Sequence, residues 1–203
     1  MRIVGSSHIL LAAISIFTFG LGQLASAQFF FGPKPAPMRK ATDFISRQDP
    51  AKINKTLEGA VSPDNSHVVI SISKQRAYLM TGDQVYIDSP ISSGKSGHAT
   101  PTGSFHVQEK DPDHHSSVYG NFVDRSGRIV RAGVSSVIDS APSGTRFAGA
   151  PMKWFCRINE GVGMHVGILP GYPASHGCVR LPSDIAPLIY QKVRVGTRVE
   201  IDP

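Results

Sequence analysis

One cysteine, Cys178, sits in the glycine-lined stretch Ser175-His176-Gly177-Cys178-Val179-Arg180. A histidine stands just upstream, in Gly163-Met164-His165-Val166-Gly167. A fold that uses these residues together must lay a strand carrying His165 alongside the segment carrying Cys178. A thiol set among glycines, with histidines close by, reads as a nucleophile. The imidazole takes the thiol proton and later returns it to an amine. His165 is expected to be that base. His176 directly precedes Gly177-Cys178, so its ring is expected to point away from the sulfur along an extended chain. Its role is then structural or oxyanion-shaping. Gly177 lets the backbone approach closely, and adjacent N–H groups are candidates for holding an oxyanion. The far nitrogen of His165 needs an acceptor, and no Asp or Asn stands nearby in sequence. A backbone carbonyl such as that of Val166 is the candidate.

The N-terminus reads as a secretory signal. Met1-Arg2 gives a positive start, Ile9 to Phe17 an apolar run, and Ala25-Ser26-Ala27 a small-x-small cleavage site. The run is too short and too interrupted by Gly20, Gly22 and Gln23 for a membrane span. The expectation is a periplasmic, wall-associated protein with residues 1–27 removed and no integral span remaining. Removal takes away only Arg2 of the 21 basic residues, leaving a modest positive excess over 15 acidic ones. That balance suits an anionic wall polymer or lipid and equally a plain soluble surface. No basic stripe interleaved with aromatics argues for nucleic acid.

About 175 residues remain after processing, enough for one core. Residues 28–63 read as a proline-rich linker, with short helical character between Asp43 and Leu57. Residues 64–203 read as a mainly β catalytic domain. Val68–Ser73, Ala77–Met80 and Val85–Ile87 are strand-like, the last two around a hairpin turn. Residues 111–150 look least regular, because glycine and serine recur there, and are read as a lid-like insert. Met152–Ile158 and Val162–Val166 read as strands. A short helix is expected over Pro182–Val193 with Ser183 as N-cap, followed by a final strand at Thr197–Ile201.

The segment from His165 to Arg180 resembles the signature of YkuD-type L,D-transpeptidase catalytic domains: a histidine, a spacer, then Ser/Thr-His-Gly-Cys, an aliphatic residue and Asn or Arg. Thr100-Pro101-Thr102-Gly103-Ser104-Phe105 is similar to a turn of that family, and the resemblance extends over most of residues 66–202. The His165-to-Ser175 spacer, with Pro170-Gly171-Tyr172-Pro173, is shorter than is usual there.

The resemblance implies a β-sandwich-like fold with one or two short helices, acting on peptidoglycan stem peptides. Cys178 is implied to release the terminal D-alanine of a tetrapeptide stem through a thioester. A second stem's amine then forms a cross-link between diamino acids. An outer-membrane lipoprotein, a D-amino acid or water are alternative acceptors. No cofactor and no metal are implied. Arg180 is a candidate for a substrate carboxylate, and Ser175, Tyr172 and Trp154 are candidate groove residues, with His114 to Tyr119 beside them.

Competing readings stay open at this point. A papain-like or cell-wall amidase usually places cysteine before histidine. A sortase expects a longer gap and a Thr-x-Thr-Cys strand end. A metal hydrolase would draw on Asp111, Asp113, His114 and His115, a weak set because consecutive residues seldom face one ion. A non-catalytic wall-binding module would pair Cys156 with Cys178 in a disulfide.

Overall fold

A computed structural model describes residues 48–203. The signal-like segment and the proline-rich stretch up to residue 47 lie outside the described residues. From Gln48 onward the segment read as linker is built into the domain. Strand β1 (Lys52–Ile53) pairs with β4 (Gln84–Pro90). A single 3-10 turn at Lys55–Leu57 follows, capped by the Asn54 side chain on the Thr56 N–H. Val61 is buried in the main core.

The largest sheet has six strands. Its centre is the meander β2 (Ser66–Ser71), β3 (Arg76–Thr81) and β4, with β1 on the far side of β4. β13 (Arg198–Asp202) runs parallel to β2, and β5 (Gly103–His106) closes the other edge antiparallel to β13. The second sheet has four strands in the order β12 (Val179–Leu181), β11 (Val162–Val166), β10 (Phe155–Asn159), β6 (Glu109–Asp111). One core joins the two sheets. Val68, Ile70, Leu79, Ile87, Val199 and Ile201 come from the first, and Cys156, Ile158, Met164, Val179 and Leu181 from the second. These positions alternate along their strands, which is the pleat putting every second side chain on one face.

The helix is shorter than its sequence suggests. α1 spans Ala186–Lys192 with Ile185 at the N-cap, and no side chain caps it. Ser183 is therefore not the cap. Pro182 accepts from the N–H groups of Ile185 and Ala186, so a backbone turn does that work. Ala186 and Ile189 face the core.

Residues 111–150 are far more regular than expected. After β6 they form an antiparallel sheet of β8 (Ile129–Ser135), β7 (His115–Val123) and β9 (Arg146–Pro151). The glycines that suggested a loop are close-approach positions. A Cβ on Gly120 would lie 2.2 Å from the Ala148 carbonyl oxygen, and one on Gly149 would lie 2.0 Å from that of Ser116. Both glycines let neighbouring backbone pass where no side chain fits.

Among the described residues, no helix is long and apolar enough to cross a membrane.

Candidate active site

Strands β11 and β12 are parallel, in the register Met164–Val179, His165–Arg180 and Val166–Leu181. Parallel neighbours need a crossover of about a dozen residues. Gly167 to Cys178 is that crossover, so the spacing between histidine and cysteine is a topological requirement. Met164, Val179 and Leu181 face the core. The alternation then places Gly163, His165, Cys178 and Arg180 on the opposite, outward face. Cys178 lies level with Gly163, one step diagonal from His165, and long side chains span such diagonals.

His165 is 7 % exposed. Its Nδ1 lies 2.7 Å from the Val166 carbonyl oxygen. A carbonyl can only accept, so Nδ1 carries the hydrogen and Nε2 keeps its lone pair. Burial pushes the imidazole down to about 4, with Arg180 and His114 adding to the effect and the Val166 carbonyl opposing it. At neutral pH His165 is an uncharged base. The Cys178 thiol is held above its ordinary range by burial, against the pull of the Gly163 N–H and of Arg157 and Arg180. The resting pair is therefore thiol and neutral imidazole.

His165 also makes stability depend on pH. Its folded value, about 4, lies below the unfolded 6.5. The unfolded chain binds more protons in that window, so stability falls as pH drops from about 6.5 toward 4. The full loss from this group is on the order of 3 kcal/mol. Urea denaturation at pH 7.5 and 4.5 should show it, with His165→Gln flattening the difference.

The cysteine loop is held from outside the sheet. Ser175, 2 % exposed, accepts from the Gly177 N–H at 3.1 Å and donates to the Cys178 carbonyl. Thr100 Oγ1 accepts from the Gly94 N–H at 2.9 Å and donates to the Gly177 carbonyl at 2.7 Å. The Ala174 and Ser175 N–H groups both donate to the Ser93 carbonyl. The Gln75 carboxamide in turn holds Ser93, accepting from its N–H at 3.0 Å and donating to its Oγ at 2.7 Å. Gly177 has φ of +118°, a left-handed conformation that favours glycine. Its N–H is committed to Ser175, so Gly177 shapes the loop and does not supply the oxyanion donor. Thr100→Val should leave a buried N–H and a buried carbonyl without partners. The expected loss is roughly 2–4 kcal/mol, read as a Tm drop on the order of 5–10 °C.

Cys178 and His165 both line a cavity of about 730 Å³. Ser175, His176, Arg157 and Arg180 line it as well. Arg180 is half-buried, and its stem runs over Gly167, where a Cβ would come within 2.6 Å of its Cγ. His176 is exposed and borders the same cavity as Cys178, although its ring was expected to point away from the sulfur. Its ring stacks on Tyr119 of β7 at 4.3 Å and meets His98 edge-on at 4.8 Å. It thus joins the cysteine loop to the three-stranded insert.

Two candidate groove residues are placed elsewhere. Trp154, with φ of +59°, packs against the core and meets Tyr190 edge-on at 5.2 Å. Tyr172 is exposed and outside the cavity wall; its carbonyl accepts from Ser92 Oγ at 2.7 Å.

The disulfide alternative is corrected by the same alternation. Cys156 points into the core at 1 % exposure, on the other face of the sheet from Cys178, and both cysteines are free. Burial pushes the Cys156 thiol up to about 12, so it stays an inert core group. Of the suggested metal set, Asp113 and His115 do not join the cluster that Asp111 and His114 form. Asp111 and His114 come together with Glu109, but Glu109 holds the Arg157 guanidinium at 2.6 Å, a cation already in place.

The family model for the YkuD L,D-transpeptidase catalytic domain matches residues 65–201. The chain belongs to this family. Its fold is similar to solved L,D-transpeptidases. One from Mycobacterium smegmatis shares 21% identity with TM-score 0.51, covering 68% of this chain and 59% of that one. One from Stackebrandtia nassauensis shares 17% with TM-score 0.50, covering 68% and 56%. A third, in complex with imipenem, shares 24% with TM-score 0.50, covering 68% and 58%. The chain thus spans less than two thirds of these proteins' length. Among curated proteins none matches the sequence.

Sequence reasoning did not assign Gln75, Phe155, Arg157 or Gly163 to the site. Only Gly163 carried a local signal, as a glycine in a strand, which often marks a close approach.

Proposed function

We propose that this YkuD-family protein is a peptidoglycan L,D-transpeptidase with Cys178 as nucleophile and His165 as base. The supporting observation is the shared outward face of β11 and β12, where a free thiol and a neutral imidazole border one cavity. As His165 Nε2 takes the thiol proton, the sulfur adds to the carbonyl between the L-centre of a diamino acid and the terminal D-alanine. The Cys178 N–H, next to the committed Gly177 N–H, is the proposed oxyanion donor. The tetrahedral intermediate collapses, the C–N bond breaks, and His165 returns the proton to the departing D-alanine amine. Arg180, which lines the cavity, is the proposed partner of a stem carboxylate. A second stem's side-chain amine then attacks the thioester and restores the thiol. We read residues 1–27 as the export signal that delivers the catalytic domain to the periplasm.

Incubation with tetrapeptide stems tests this. The expected products are D-alanine and a cross-linked dimer, separated by chromatography and weighed by mass spectrometry. Tripeptide alone would assign the acceptor to water, and stem-loaded lipoprotein would assign it to a protein lysine. No D-alanine release with any acceptor would contradict the proposal.

A further inference from the structure

A second imidazole faces the same cavity, and the acyl-transfer step above gives it no task. His114 follows β6 and lines the cavity together with Cys178 and His165. Its Nδ1 lies 3.2 Å from Asp111 Oδ2. A carboxylate accepts, so Nδ1 carries the hydrogen and Nε2 keeps a lone pair. The ring stacks on Phe155 at 4.1 Å and 13°, which fixes its plane. Phe155 in turn lies over Gly163, where a Cβ would meet its ring carbons at 2.2 and 2.5 Å. Gly163 is the residue whose N–H reaches the Cys178 sulfur. The Phe155 ring thus neighbours both imidazoles, His114 stacked at 4.1 Å and His165 tilted at 6.4 Å between centroids.

The chemistry of transfer leaves room for a second base. An amine acceptor arrives as an ammonium with three N–H protons. When it attacks the thioester, a C–N bond forms and the C–S bond breaks. One proton stays on the new amide nitrogen. One returns to the sulfur through His165. The third needs another acceptor before nitrogen has a lone pair to attack with. From this geometry we infer that the Asp111–His114 dyad is the base on the acceptor side, with His114 Nε2 taking that third proton. Asp111 orients the ring and balances the positive charge it acquires. The inference rests on the transpeptidase reading above.

The charged groups around His114 are few and assigned. Glu109 is paired with Arg157 at 2.6 Å, and Asp113 faces Lys153 at 3.7 Å on the exposed rim. His115 Nδ1 is engaged with the Asp113 carbonyl. Asp111 also accepts from the Asp113 N–H, and His165 neighbours the Phe155 ring.

The test separates the two half-reactions. A tetrapeptide donor first loads the enzyme, scored by intact mass and by D-alanine release. A tripeptide stem with a free side-chain amine then discharges it. In His114→Gln the discharge by amine at pH 7 should fall on the order of 100-fold, while thioester formation changes less than about threefold. The deficit should shrink as pH rises toward the ionisation of the amine, where solvent supplies the free base. Asp111→Asn should show the same split on a smaller scale, near tenfold, and serves if His114→Gln does not fold. Amine discharge unchanged in either variant would overturn the inference. So would an equal fall in both half-reactions with an unaltered pH profile, which is the mark of a structural role. A wild-type protein that forms no thioester would instead overturn the transpeptidase reading and remove the basis for this one.

Discussion

Replacing His165 by glutamine should lower the rate of Cys178 acylation about 10³-fold, within the 10²–10⁴ range of a positioned general base. The reason lies in the resting charge state. Burial holds the thiol protonated and the imidazole neutral. The sulfur therefore has no negative charge at rest and depends on Nε2 to become a nucleophile. The pH profile carries the sign. In the native protein the base form of His165 persists down to about 4. Acylation should stay level from neutral pH to about 5 and fall only below that. An ordinary histidine would already have protonated near 6.5. In His165→Gln the rate should climb with pH, because hydroxide then has to remove the thiol proton. Stopped-flow acylation across pH 4–9 measures both curves. A variant within tenfold of the native rate, or a native acid limb near 6.5, would contradict the assignment.

Gly163→Ala should be severely damaging although the residue has no side-chain chemistry of its own. Its Cβ would sit 2.2 and 2.5 Å from Phe155 ring carbons and 2.8 Å from the Cys156 carbonyl oxygen. Both Phe155 and Cys156 are almost fully buried, so neither can move aside without disturbing packed neighbours. Overpacking of this kind costs about 3 kcal/mol or more. The displaced ring also lines the cavity and stacks on His114, so acylation and transfer should both fall. Gly161→Ala is the matched control. It lies two residues away with no heavy atom within 4 Å of its Cβ position, and should change stability by less than ~0.5 kcal/mol. Equal melting curves for the two variants would show that the Phe155 packing is not as described.

The candidate site was legible in the sequence because it is local. Cys178, His176 and the glycine between them are contiguous, and His165 lies on an adjacent strand-forming run. Even the Val166 carbonyl was foreseeable, since no acidic side chain stands near His165 in the chain. The supporting shell was not, because it is assembled from distant segments. Gln75 reaches Ser93 eighteen residues on, and Thr100 reaches Gly177 across 77 residues. No spacing rule announces such contacts.

Residues 111–150 misled for a different reason. Glycine in a strand reads as a turn signal unless the backbone opposite Gly120 and Gly149 is known to crowd them. Trp154 and Tyr172 were drawn toward the groove by aromatic character alone. Trp154's positive φ and Tyr190 partner send it to the core instead. His114 was visible as part of a metal-like string and as the start of a groove-lining run, but its relation to Phe155 needed the pairing of β6 with β10.

The whole account turns on one sulfur taking up an acyl group. A carbapenem suits the measurement, since its strained β-lactam carbonyl acylates an activated thiol. The native protein should gain one drug mass, mapped by peptide sequencing to Cys178. Cys156 should stay unmodified, and Cys178→Ala should gain nothing while melting like the native protein. An unmodified native protein, a mass two units light from a Cys156–Cys178 bridge, or an adduct that survives Cys178→Ala would contradict it.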